Sequence, residues 1–157
     1  MAKVKDPFET AIRILTAREH SSHQLRVKLQ NREFTEAEIV QTLTKLVELS
    51  YLDDLRFARL LIRNRVIRKL RGFADARQKL YFAKVGNEIM EQALSEAREE
   101  IDEREICMEA ALKKQHSLRE TNRRKRFEKI SRHLAGRGFP AQIIRETANE
   151  ILNTEEV

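Results

Sequence analysis

The apolar residues of this chain come round three times. Leu25, Leu29, Phe34, Ile39 and Leu43 are followed by Ala76, Leu80, Val85, Met90 and Leu94, then by Ile130, Leu134, Phe139, Ile144 and Ala148, each set spaced 4, 5, 5 and 4 residues apart. A unit of about fifty residues used three times predicts small helical bundles stacked along the chain. Neither one large core nor an enzyme pocket is the natural product of such stacking, so function is expected on an extended surface.

The composition points to an all-α protein. Only four glycines and two prolines occur in 157 residues, tryptophan is absent, and good helix formers dominate. Cys107 is the only cysteine, which leaves no intrachain disulfide and suits the reducing cytoplasm. No apolar run approaches the roughly 20 residues of a membrane span, and the N-terminus carries no signal-peptide core.

Charge is segregated. Residues 1–53 balance, with eight basic and eight acidic residues; 54–84 carry +8, 85–109 carry −7, 110–137 carry +8 and the remainder −3. Two readings follow. Solvated helix faces can neutralise one another within the chain, or the separated blocks create fields that a polyanion feels; the second is favoured.

Local signals place the helices. Phe8, Ile12 and Leu15, or Ala11, Ile12 and Leu15, mark one face of a first helix. Ser21-Ser22-His23-Gln24 and Thr35-Glu36-Ala37-Glu38 read as capping boxes, and Phe34 with Ile39 as a hydrophobic staple. Val85 with Met90 brackets a helix start at Gly86; Phe139 with Ile144 brackets one at Pro140, where Gly138 ends the preceding helix in a left-handed turn. Asp53 is placed as an N-cap, with Asp54 complementing the dipole and Leu52 stapling to Phe57. The units are expected over 8–50, 51–99 and 100–153, each of three helices with helix-turn-helix-like corners, in an elongated, curved chain. The connections near Ser50 and 99–102 are short and open to helix; that near Gln115–Asn122 is polar and the expected bend.

Ser22-x5-Lys28-Leu29, Phe34 with Ile39 and Leu43, Tyr51-Leu52-Asp53-Asp54-x-Arg56-Phe57-Ala58, and Arg63 and Arg65 leading to Gly72 closely resemble the RecX family of bacterial recombination regulators. The resemblance runs from about Phe8 to Leu152. The second unit departs from it, reading Lys79-Leu80 and Ala83-Lys84-Val85 with the glycine displaced to Gly86, and the third unit matches most weakly. The resemblance implies three tandem three-helix units in a monomer that binds the RecA–DNA filament in its groove. It implies a modulator, in the negative sense, of strand exchange, ATP hydrolysis and coprotease activity, and so a place in homologous recombination, DNA repair and the SOS response.

The residues themselves suggest where contact occurs. Arg56, Arg59 and Arg63 share a helix face opposite Phe57, Ala58, Leu61 and Ile62, an arginine stripe expected to be free for a partner. Arg65, Arg68, Lys69 and Arg71 continue on a helix end expected to project past its core. In the third unit Phe127, Ile130 and Leu134 are the buried face, leaving Lys125, Lys129 and Arg132 outward beside Arg123 and Arg124, with Lys113 and Lys114 upstream. These cations are the candidate contacts to RecA or to DNA, single- or double-stranded, held weakly and without sequence preference. The acidic stretch Glu88–Glu109 is expected to face basic filament surface or to pack between units. The aromatic residues fall mostly at core positions, so base stacking is not expected.

No catalytic, metal or cofactor residues are expected. His20, His23, His116 and His133 lack ligand spacing, with His20 and His23 read as surface residues; Cys107 reads as a packed thiol, and no glycine loop cradles phosphate. A sequence-specific helix-turn-helix DNA-binding protein is the main alternative, and a purely structural helical adaptor the third.

Overall fold

The structure, a computed structural model, describes residues 5–154. Among these residues all regular secondary structure is helical: α1 (Pro7–Ala17), α2 (Ser22–Gln30), α3 (Glu36–Glu48), α4 (Asp54–Arg63) running into a π-helical turn (Asn64–Arg68), α5 (Phe73–Phe82), α6 (Asn87–Glu100), α7 (Glu103–Ser117), α8 (Arg123–Gly136) and α9 (Ala141–Thr154). Three successive helices surround each of three cores, and the positions of the recurrent skeleton are buried or half-buried in all three. The accessible surface is 10259 Å², about a quarter above the roughly 8200 Å² of a compact monomer of this mass. That excess is what an elongated stack of small cores produces.

The helix starts follow their local chemistry. Ser21 and Thr35 form complete capping boxes with Gln24 and Glu38, and the Asp53 carboxylate accepts the Leu55 and Arg56 amide protons at 2.9 and 3.0 Å. The corner after the second helix of each unit repeats as well. Phe34 N donates to Leu29 O at 3.4 Å, Val85 N to Leu80 O at 3.2 Å and Phe139 N to Leu134 O at 3.4 Å. The residue before each of these hydrophobes is left-handed: Glu33 at φ 66°, Lys84 at φ 55° and Gly138 at φ 84°. This is a Schellman closure made three times, once with glycine.

Four expectations change in three dimensions. Leu52 is buried in the first core while Phe57 belongs to the middle one, so the two serve different units rather than one staple. The end of α4 does not project past its core. The π turn, closed by Lys69 N on Asn64 O at 3.1 Å, brings Val66 into the middle core, and Leu70, left-handed at φ 51°, enters the third. The link between α6 and α7 is extended at Ile101 and Asp102, not helical. Finally, α7 continues to Ser117, which shortens the polar connection before α8 to residues 118–122.

Side chains and main chain knit the units at two junctions. Between the first and second, Ser21 Oγ donates to Ala83 O at 2.6 Å, and Asp54 Oδ1 accepts from Ser22 N and Oγ at 2.7 and 3.0 Å. Between the second and third, Gly72 N donates to Arg137 O at 2.9 Å, and Arg137 Nε returns to Leu70 O at 2.8 Å. Glu103 Oε1 accepts from Phe73 N at 2.8 Å and so caps α5 from the neighbouring unit.

Candidate protein and nucleic-acid interface

The arginine stripe of α4 is not free, as it was expected to be. Arg56 Nε meets Glu19 Oε1 at 2.7 Å and its other nitrogens reach the carbonyls of Ser50 and Tyr51 at 3.1 Å. Arg59 forks onto Glu96 at 2.7 and 2.9 Å, and Arg63 reaches Glu100 at 3.5 Å. The spacing between partners is constant at 37 residues, as it must be when α4 and α6 run parallel in register. The Arg59 fork, with a second hydrogen bond from Gln92, pulls the Glu96 carboxyl down to about 2. The acidic block therefore packs against the basic block of its own unit.

Arg65 and Arg71 are drawn inward by the same logic. Arg65 forks onto Asp75 at 2.6 and 2.9 Å and Arg71 joins at 3.3 Å, around a carboxylate only 10% exposed. Burial by itself would raise the Asp75 carboxyl. The Arg65 bonds and the charges of Arg65, Arg71 and Lys79 outweigh it and hold the group below its ordinary range.

Other candidates stay outward. Arg68, Lys69, Lys114, Lys125 and Arg132 hold no ion pair among the described residues. Arg63 and Arg68 rim an open groove of about 590 Å³ at the first junction, lined also by Arg18, Leu60, Leu61 and Ile67. Lys113 and Arg124 make solvent-exposed pairs with Glu109 and Glu128 at 3.1 and 3.3 Å, of the kind that contributes little and exchanges readily, while Lys129 meets the half-buried Glu120 at 3.2 Å. Arg123 donates to Leu152 O at 3.2 Å and to Asn153 Oδ1 at 2.6 Å, tying α8 to α9. The first turn of α8 is basic throughout and holds no acidic residue. Positive charge there opposes the helix dipole, so this end keeps a positive potential.

Most aromatic residues pack in or against the cores; Tyr51, Tyr81 and Phe82 lie 52–64% exposed, with Tyr81 and Phe82 edge to face at 6.0 Å and Lys84 over the Tyr81 ring at 5.1 Å. His20 is buried, where a surface residue was expected; its Nδ1 contacts the Arg18 carbonyl at 2.9 Å. Glu103, one carboxylate of the acidic run, has its carboxyl raised by burial, against the pull of the Phe73 amide it caps and of Arg98. Nothing local in the sequence marks the burial of His20 or Glu103, because each depends on a neighbour supplied by the packing.

Cys107 is fully buried in the third core and burial raises its thiol, the setting of a packed rather than a reactive cysteine. No group of three or more His, Cys, Asp or Glu among the described residues is arranged to hold a metal. No described helix is long and apolar enough to cross a membrane.

Comparison with known proteins gives the arrangement a family. Family models described as "RecX, first three-helix domain" and "RecX, third three-helix domain" match residues 8–46 and 102–147. Regulatory protein RecX of Chlorobium phaeobacteroides is 35% identical over 150 residues, covering 96% of each chain. That of Prosthecochloris aestuarii is 39% identical over 142 residues, covering 90% of this chain and 91% of its own. The crystal structure of RecX from Lactobacillus salivarius superposes with a TM-score of 0.77 over 94% of this chain and 95% of that one, at 21% identity, and so shares the fold. With relatives this similar along nearly their whole length, the chain belongs to the RecX family of regulatory proteins.

Proposed function

We propose that this chain regulates the RecA recombinase, lodging as a monomer along the groove of the RecA–DNA filament and lowering strand exchange, ATP hydrolysis and coprotease activity. The observation that carries the reading is membership of the RecX family over nearly the full chain. The stack of three small cores supports it, since an elongated body that carries open grooves suits a filament groove. So does the charge arrangement: outward cations at Arg68, Lys69, Lys114, Lys125 and Arg132 meet DNA phosphate or acidic protein surface. The protein works in the cytoplasm, without a cofactor and without chemistry of its own.

The internal pairs change which substitutions are informative. Reversing Arg59 or Arg63 breaks the α4–α6 ladder as well as any contact. Arg68→Glu, Lys125→Glu and Arg132→Glu together reverse cations that hold no internal pair. One titration tests the reading, with the chain added to bare single strands, bare duplex and RecA-coated single strands. The coated strand is expected to bind tightest, with affinity falling steeply as salt rises and abolished in the triple variant. Equal affinity for all three, or a preference for one duplex sequence, overturns the reading, the latter in favour of a sequence-specific DNA-binding protein.

A further inference from the structure

Residues 1–53 hold as many acids as bases, and their sequence marks no contact there; the fold nevertheless separates those charges. A groove with about 600 Å³ of open space lies along α1 and α2, lined by Lys5, Arg13, Arg18, Lys28, Arg32 and His20 and, among the described residues, by no carboxylate. Two of its arginines are held by carbonyls: Arg32 Nη1 donates to Lys28 O at 2.9 Å, and Arg18 Nη1 donates to Glu19 O at 3.3 Å. A carbonyl orients a guanidinium without cancelling its charge. Arg18, Lys28 and Arg32 hold no ion pair among the described residues, and the Arg13–Glu9 pair is exposed to screening water. This differs from α4, where each stripe arginine already has its carboxylate.

One ring in the lining is buried beside these cations. His20 is 2% exposed; since a carbonyl only accepts, Nδ1 carries the proton given to Arg18 O, and Nε2 is buried with no hydrogen-bond partner. Burial above all, and then the charges of Arg18 and Lys28, push the imidazole pKa down, against the Arg18 carbonyl bond and Glu19, which push it up.

We propose that this groove seats a backbone phosphate of a single-stranded nucleic acid. Guanidinium groups already oriented by carbonyls offer convergent N–H donors at little ordering cost, the arrangement that favours phosphate over a diffuse counterion. An open groove admits a passing strand rather than enclosing a small molecule. The inference rests on the reading above only in taking nucleic acid to be part of the bound surface.

The test uses the whole chain without recombinase. Dye-labelled oligo(dT) is titrated by fluorescence anisotropy at several salt concentrations against the wild type, an Arg18→Gln/Lys28→Gln/Arg32→Gln variant, an Arg18→Lys/Arg32→Lys variant that keeps the charge, and Lys125→Gln/Arg132→Gln for comparison. Unfolding curves confirm that each variant folds. The triple variant is expected to bind roughly tenfold more weakly or worse, with a salt slope shallower by about 0.7 for each phosphate it no longer neutralises; the charge-keeping variant keeps the salt slope but falls between the two in affinity, because lysine does not reproduce the oriented fork. In NMR titrations oligo(dT) is expected to raise the His20 pKa, because a seated anion offsets Arg18 and Lys28. Unchanged affinity and slope in the triple variant overturn the proposal. So does inorganic phosphate raising the His20 pKa where oligo(dT) at matched ionic strength does not, which makes this a free-anion site. If wild type binds oligo(dT) through the groove yet shows no preference for RecA-coated strands, the groove stands and the regulatory reading falls.

Discussion

Two glycines hold the junction between the second and third units, for different reasons. At Gly72 an added Cβ would come within 2.2 Å of Gly138 O and 2.9 Å of Glu103 Oε1, so the backbones approach as closely as they do only because no side chain intervenes. Gly138 is left-handed, and a Cβ there would lie 2.9 Å from Asp75 N. Glu33 occupies the equivalent left-handed position of the first unit and is exposed. The two substitutions should act in opposite directions. In urea denaturation Gly138→Ala is expected to lose about 2 kcal/mol or more, and Glu33→Gly to gain up to about 1 kcal/mol once the extra freedom of the unfolded glycine is counted. A Gly138→Ala protein as stable as wild type would show that the junction yields.

At the scale of the helix, ends and seams carry the specificity. The N-cap of α5 is a glycine with no side chain to offer, and Glu103 supplies the acceptor from α7. Glu103→Ala is expected to cost about 1 kcal/mol, as removal of a cap does. Glu103→Gln, which keeps an oxygen acceptor without burying a charge, should restore it; equal destabilisation in both variants by chemical denaturation would disprove the capping role. The seam between α4 and α6 adds a pH dependence. Glu96 titrates at about 2 when folded and near its ordinary 4.5 when unfolded, so its contribution is complete above pH 4.5 and lost as pH falls toward 2. Asp75, also depressed, acts with the same sign. Unfolding midpoints measured at pH 5, 4 and 3 should therefore fall less steeply for Glu96→Gln than for wild type, and parallel lines would contradict the linkage.

For the whole molecule the question is how three small cores behave as one body. Each buries too little surface to be comfortable alone, and the structure shows residues passed between neighbours: Leu52 closes the first core from beyond α3, and Leu70 reaches the third from the end of the π turn. Leu70 is 5% exposed and left-handed, a strain that persists because a core on the far side receives the side chain. Leu70→Ala is expected to cost about 2–5 kcal/mol, as buried leucine truncations do. It should also separate the unfolding of the third unit from that of the second, giving two transitions by calorimetry where wild type gives one. A single transition merely shifted in temperature would mean the Arg137 and Gly72 main-chain bonds suffice for coupling.

The helical class, the threefold recurrence and most helix ends are legible in the order of residues alone, because caps, staples and apolar spacing act over a few residues and are written where they act. The capping boxes at Ser21 and Thr35, the Asp53 cap and the Gly138 turn need no distant partner to be read. The fate of the charges was decided only by tertiary structure. Arg59 lies 37 residues from Glu96, and their pairing follows from α4 lying parallel to α6. Residues 1–53 are neutral as a string, yet the first bundle presents a groove whose charged lining residues are all basic, because α1 and α2 turn their cations to one side. Electrostatic energy depends on distance in space, which a list of residues in order does not contain, whereas the hydrogen bonds and side-chain contacts that start and stop a helix are nearly all local.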